Sequence, residues 1–351
     1  MFVLHSRKIR ALLDEAIAPL LLTVDVFAPV EWFLDHVFGA GMDVLAELLD
    51  TPMLGYPYMQ RAYLAAFCIA VIGPLVGTFL VHRELSMIGD TLAHTAFAGV
   101  AVGLFLNSVL SLTLSPLLTA FVVAIGTALL VELLVEHADA YSDTSLAIVL
   151  TGGFAVGSIL ITATDGGIAV GIDAYLFGSL ATVSTEDVGI LVLMSLLVGS
   201  LVTVAYRPLL YVTFDATAAR VARLNARLYK RLMVVLTALV VVSAMQIMGV
   251  ILVAAMLVVP VAAAAQVAHS FKQSIFLAIL AAEFAAITGV TLSYVYGIAA
   301  GGSIVVSAIG VYTVAVGFDK QTHWLPSVRR RNRRRPEHSP EELGANGGER
   351  E

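Results

Sequence analysis

Between Arg83 and Arg207 the chain carries no lysine or arginine, and the residues there are mostly Leu, Val, Ala, Ile, Ser, Thr and Gly. Runs of about 20 such residues are long enough to cross a bilayer as a helix. They can be placed at 62–81, 87–106, 116–135, 145–163, 188–206, 231–248, 250–268, 274–297 and 301–318. Composition agrees. A soluble domain is about 25% charged, whereas this chain is 13% charged and 59% hydrophobic, with a mean hydropathy of +0.92. The expected fold is all-α: a polytopic membrane helical bundle of about nine transmembrane helices. The 231–268 stretch is the least defined. It reads as two tight spans or as one bent, re-entrant element, with Gln246-Ile247-Met248-Gly249 as its only break.

Positive charge orients such a bundle, because Lys and Arg stay in cytoplasmic loops. Arg83 follows the first span. Arg207, Arg220, Arg223, Arg227, Lys230 and Arg231 crowd one loop, and Lys272 lies in another. The tail carries Arg329, Arg330, Arg331, Arg333, Arg334 and Arg335. Nine crossings put all of these on one side, taken as the cytoplasm, with the C-terminus there too. The opposite loops, near 107–115, 164–187 and 298–300, hold no Lys or Arg. The acidic turn at 136–144 is the exception. The expected location is the plasma membrane, in multi-pass form.

The ends are different material. Residues 1–57 mix apolar residues with acids, and Pro19 and Pro29 interrupt any long helix. They read as an amphipathic, interfacial extension, with an extra crossing near 17–34 as the alternative. Residues 58–318 form the transmembrane domain. From Asp319 to Glu351 the chain is polar, basic and disorder-prone. Its arginine run reads as a contact with membrane lipid, not with nucleic acid. The single cysteine, Cys68, excludes an internal disulfide framework and a Cys-based metal cage.

Gly89-Asp90-Thr91-Leu92-Ala93-His94 places a carboxylate and an imidazole four residues apart in an apolar span. On a helix these share a face. Ionisable groups there are costly and mark sites or pathways, and a carboxylate with an imidazole can ligate a divalent metal. An interhelical hydrogen bond is the alternative reading of the same pair. Glu283 also falls mid-span, where it either pairs across helices or contributes to transport.

Within 207–231, Asp215 is a candidate N-cap and an Ala-rich helix follows it. Arg220, Arg223 and Arg227 then fall on one face of that helix. It is either a solvated basic helix or a helix presented to a partner protein. No GxxxxGK[ST] loop occurs in the chain. If the protein is a pump, another chain hydrolyses the nucleotide.

The run Arg83 to His94, followed by Gly99-Val100-Ala101, resembles the signature of the ABC-transporter permeases that import zinc and manganese. Three further segments resemble the family in order. These are Asp173 to Ser179 with Val183 to Asp187, then Phe214-Asp215 with its Ala/Arg helix, and Gly249 through Pro260 to Ala263. The resemblance covers about Tyr58 to Gly317. It implies a homodimer of permease chains, two copies of a cytoplasmic ATP-binding subunit, and a separate extracytoplasmic metal-binding protein. It maps the metal path onto Asp90 and His94, and the ATPase-coupling loop onto Asp215, Arg220, Arg223 and Arg227. Gly249 and Pro260 are the gate or hinge candidates. Such a permease is not an enzyme and holds no permanent cofactor; the zinc or manganese ion is cargo. Ala98 stands where the manganese branch has proline, which leans the reading toward zinc. The acidic outer loop, with Asp165, Asp173, Glu186 and Asp187, is either a cation-concentrating surface or ordinary loop charge. Residues before about 58 have no counterpart in the family. Two other classes compete: an ion-coupled secondary cation transporter, for which the chain lacks an evident internal repeat, and an intramembrane aspartyl protease, for which it lacks a second intramembrane aspartate.

Overall fold

The computed structural model describes residues 28–110, 113–137, 142–163, 172–178 and 183–324. The arginine-rich tail, Asp165 and the first part of the extra-crossing alternative lie outside the described residues. Among the described residues there is no strand. Two short helices come first, α1 (Ala28–Phe33) and α2 (Gly39–Leu48), joined by a π-helical turn and followed by a 3-10 turn at Pro52–Gly55. Then come α3 (Pro57–His82), α4 (Ile88–Leu110), α5 (Pro116–His137), α6 (Ser142–Thr162), α7 (Ile172–Phe177), α8 (Thr185–Val204), α9 (Tyr206–Phe214), α10 (Ala216–Val221), α11 (Ala226–Met248), α12 (Val250–Val267), α13 (Phe271–Tyr296) and α14 (Ala300–Trp324).

Local chemistry sets many of these limits. Pro57 starts α3 at a position where its missing N–H costs nothing. Asn107 closes the α4–α5 turn: its Nδ2 donates to the Leu114 carbonyl at 2.7 Å and its Oδ1 accepts from the Leu114 N–H at 2.8 Å. Ser184 and Asp187 form a capping box at the start of α8. The Asp187 carboxylate, read from sequence as part of a cation-concentrating surface or as ordinary loop charge, accepts the Ser184 N–H at 2.9 Å and the Ser184 hydroxyl at 2.7 Å. Gly297, left-handed at φ +62, ends α13.

Eight helices among the described residues are long and apolar enough to cross a membrane, and Val253–Val267 within α12 makes a shorter apolar helix. The 231–268 stretch is therefore two helices broken at Gly249, not one bent element. The last helix runs on to Trp324, past the Asp319 limit expected for the tail.

The spans differ in burial, and this decides which faces are available. The best apolar window of α3 is 78% buried, while that of α6 is only 11% buried. Helix α3 is the hub, touching α8, α11, α12 and α13. Small residues permit its closest approach. A Cβ on Gly77 would collide with the Leu257 carbonyl of α12, and one on Gly73 would rest on the Met256 carbonyl. Pro260 lies within α12 without ending it. Having no N–H, it leaves the Met256 carbonyl four residues back without its usual helical partner. That carbonyl is the one turned toward Gly73 of α3.

A candidate metal path and a basic coupling end

Helix α4 carries the candidate ligands. It packs on α5, α6, α11 and α12. Thr91 ties it to α6 through its hydroxyl, which donates to the Met87 carbonyl at 3.0 Å and to the Leu146 carbonyl at 3.3 Å. Gly153 and Gly157 of α6 sit so close to Thr95, Phe97 and Ala98 that a Cβ on either would overlap them.

Asp90 lies in the first turn of α4, where the helix dipole favours a carboxylate. His94 follows one turn later, and its Nε2 stands 3.5 Å from Asp90 Oδ1. That separation is long for a hydrogen bond. It suits a shared ion: two donors each about 2.1 Å from a tetrahedral metal stand about 3.4 Å apart. The His94 side chain is 17% exposed and that of Asp90 is 41% exposed. His94 Nδ1 is buried with no hydrogen-bond partner among the described residues. Its ring meets Phe154 of α6 edge-on, with centroids 5.4 Å apart, and Phe154 stacks in turn on Phe97 at 5.7 Å. Phe154 belongs to this site and has no signature of its own in the sequence, where it is one apolar residue among many.

No cluster of three or more His, Cys, Asp or Glu residues able to hold a metal occurs among the described residues. One chain thus offers two donors. Glu283 of α13 is not part of this site. Among the described residues its buried Oε1 has no hydrogen-bond partner, so that oxygen does not make the cross-helix pair that was one of its two readings.

The end of the bundle that carries Arg83 and Arg207 holds the candidate coupling loop. Asp215 Oδ1 accepts the N–H groups of Thr217 and Ala218, each at 2.8 Å, and so caps α10 as the sequence suggests. The single helix expected to align Arg220, Arg223 and Arg227 does not form. Helix α10 ends at Val221, and Arg223 turns the chain at φ +60. Asn225 then caps α11 by accepting the Leu228 N–H at 3.2 Å, which places Arg227 in the next helix. The Asn225 cap starts a second helix before the first can extend. Arg220, Arg227 and Lys230 nonetheless line one hollow, with Ala216 and Leu224. In the turn after α3, burial lowers the pKa of the Arg83 guanidinium, an effect that the charge of Glu132 opposes.

At the opposite end Gly249 breaks α11 from α12 with φ +84 and ψ 149, a backbone state essentially confined to glycine. Its neighbour in space is Gly178, at φ +75. A Cβ on Gly249 would strike Leu176, Phe177 and Gly178, and one on Gly178 would strike Ile247, Met248 and Gly249. The Tyr175-to-Gly178 segment is thereby seated backbone to backbone on the break. Both glycines stand in segments that resemble the family, but nothing in their spacing says that they meet.

The chain is thus a polytopic helical membrane protein with a carboxylate and an imidazole on one face of a span and a basic capped loop at one end. The model of the ABC 3 transport family matches residues 55–319. The chain belongs to that family: it is a multi-pass membrane permease subunit of an ABC transporter, a transport component and not an enzyme. It is 30% identical over 268 residues to the manganese transport system membrane protein MntC of Halalkalibacterium halodurans, covering 76% of this chain and 89% of that one. It is 29% identical over 267 residues to a probable iron transport system membrane protein of Haemophilus influenzae, covering 76% and 96%. Its structure is similar to PsaBC from Streptococcus pneumoniae in complex with Fab, with a TM-score of 0.69 and 28% identity, over 79% of this chain and 99% of that one.

Proposed function

We propose that the chain is the permease subunit of an ATP-driven importer of divalent manganese or zinc, working as a homodimer whose metal path is lined by Asp90 and His94 of each copy. The observation that carries this reading is the Asp90 carboxylate, 41% exposed on an otherwise apolar helix with a histidine nitrogen 3.5 Å away. At the cytoplasmic start of a membrane-crossing helix, an exposed carboxylate is disfavoured against lipid and favoured beside water or a cation. It fits a path shared with a second copy, where two chains supply four donors. Two oxygens and two nitrogens bind a first-row divalent ion without the thiolates that would hold it too tightly to leave. Ala98 and the Gly89-to-His94 wording favour zinc, whereas the names of the relatives favour manganese or iron.

The basic end faces the cytoplasm by the distribution of Lys and Arg. There the Asp215-capped helix and its Arg220, Arg223 and Arg227 neighbourhood dock two copies of an ATP-binding subunit. On the outer side a separate binding protein delivers the ion. Gly249, seated on Gly178, and Pro260, beside the α3–α12 contact, mark where the outer closure and its hinge belong. Reconstituted with its ATP-binding partner, the permease is expected to take manganese or zinc into vesicles only when ATP is present. Uptake that runs without ATP, on an ion gradient alone, would overturn the reading in favour of a secondary transporter.

A further inference from the structure

At the basic end, rings from three helices meet. Phe271, the first residue of α13, is the centre. Its ring centroid lies 5.0 Å from that of Phe79 and 5.0 Å from that of His82, both in the last turns of α3. It lies 5.6 Å from Phe214 and 6.3 Å from Tyr206, which end and begin α9. Phe214 also meets His82 at 6.0 Å, and Phe79 meets Tyr206 at 6.2 Å. Most of these contacts are edge-to-face, the arrangement aromatic pairs prefer. The His82 ring is fixed from behind, since its Nδ1 lies 2.8 Å from the Thr78 carbonyl and donates to it. The Lys272 ammonium stands 6.0 Å from the centre of the Tyr206 ring.

The position of this cluster gives it a role. Helix α9 has nine residues and buries only Leu209 and Val212, so the rings at its two ends supply much of its hold on the bundle. Phe214 directly precedes Asp215, the cap of α10. A displacement of α10 therefore moves the Phe214 ring. On the other side, Phe79 is fully buried and lies two residues from Gly77, which rests on the Leu257 backbone of α12. The side chain of the same Leu257, with Ala254, lies against Gly89, the residue before Asp90. A continuous set of packed atoms thus joins the capped loop to the candidate ligand. The Phe214 ring, itself 62% exposed, gives the short α9 an edge contact with α3 through His82 and with α13 through Phe271.

We propose that Phe214, acting through Phe271 and His82, is a positioning residue that converts movement of the coupling loop into movement of α3 and α12 at the metal path. This rests on the reading of the chain as an ATP-driven permease. The test is the number of metal ions imported per ATP hydrolysed, in vesicles holding the permease with its ATP-binding partner. Phe214→Ala is expected to lower that ratio by about tenfold, within the usual range of coupling between sites, while hydrolysis stays within about twofold of wild type. Phe214→Tyr, which keeps the ring, is expected to restore it. If Phe214→Ala does not assemble, Phe214→Leu keeps the bulk without the ring and is judged by the same ratio. An unchanged ratio, or uptake and hydrolysis falling in proportion, would overturn the proposal. Absence of ATP-dependent uptake in the wild type would instead sink the functional reading beneath it.

Discussion

Replacing Asp90 by alanine is expected to lower ATP-dependent metal uptake by about 100-fold or more, since loss even of groups behind the ligands typically weakens metal sites 10- to 100-fold. Symmetry makes the effect severe: one substitution removes two of the four donors in the dimer. His94→Ala is expected to do the same. Asp90→Asn, which keeps the shape and removes the charge, is expected to stay inactive, because a neutral amide oxygen is a poor substitute for a carboxylate in shedding the ion's water. The check is radioactive manganese and zinc uptake into vesicles with matched amounts of assembled complex. The Asp90 side chain is 41% exposed, so its substitutions leave the core in place, whereas His94→Ala also removes a ring packed edge-on against Phe154 and is judged only at matched assembly. Retained uptake in both variants would remove the site assignment and leave the pair as a structural contact.

The second large effect is expected at the opposite end. Gly249→Val and Gly178→Val each force a β-branched residue into a backbone state that costs about 1–3 kcal/mol even where there is room. Here there is none, because each new Cβ would meet the backbone of the other segment. The Tyr175-to-Gly178 segment must then lift from the α11–α12 break. The expected results are a lower melting temperature for the purified protein in detergent and loss of metal uptake. Thermal unfolding followed by intrinsic fluorescence, with uptake measured on the same preparations, checks both. Gly302, where a Cβ would meet nothing within 4 Å, supplies the control, and Gly302→Ala is expected to leave both readouts near wild type.

Sequence reasoning reached the bundle readily, because period and charge act over whole helices. The absence of Lys and Arg from 84–206 and their return at Arg207 place the loops without any knowledge of packing. Asp215 as a cap and Asp90 with His94 on one helix face were legible for the same reason: each depends on spacing within a few residues. Contacts between distant segments were not. Gly178 meets Gly249, Phe154 meets His94, and Phe214 meets Phe271 across gaps of dozens of residues, and no local pattern encodes the register that brings them together. A local expectation that did not hold was the single Ala/Arg helix. Helix propensity favours its continuation past Val221, but the Asn225 cap opens a competing helix, and Arg223 takes the turn at φ +60. Asp187 shows the same limit, since neither a cation-concentrating surface nor ordinary loop charge, its two readings from sequence, includes its place in the capping box of α8.

The central claim is that two copies of this chain share one metal between Asp90 and His94 of each. Equilibrium dialysis of the purified, nucleotide-free complex against manganese or zinc measures the number of ions held per permease chain. The account requires one ion for every two chains, and none at that site in Asp90→Ala or His94→Ala. One ion per chain, or binding unchanged in both variants, would contradict it.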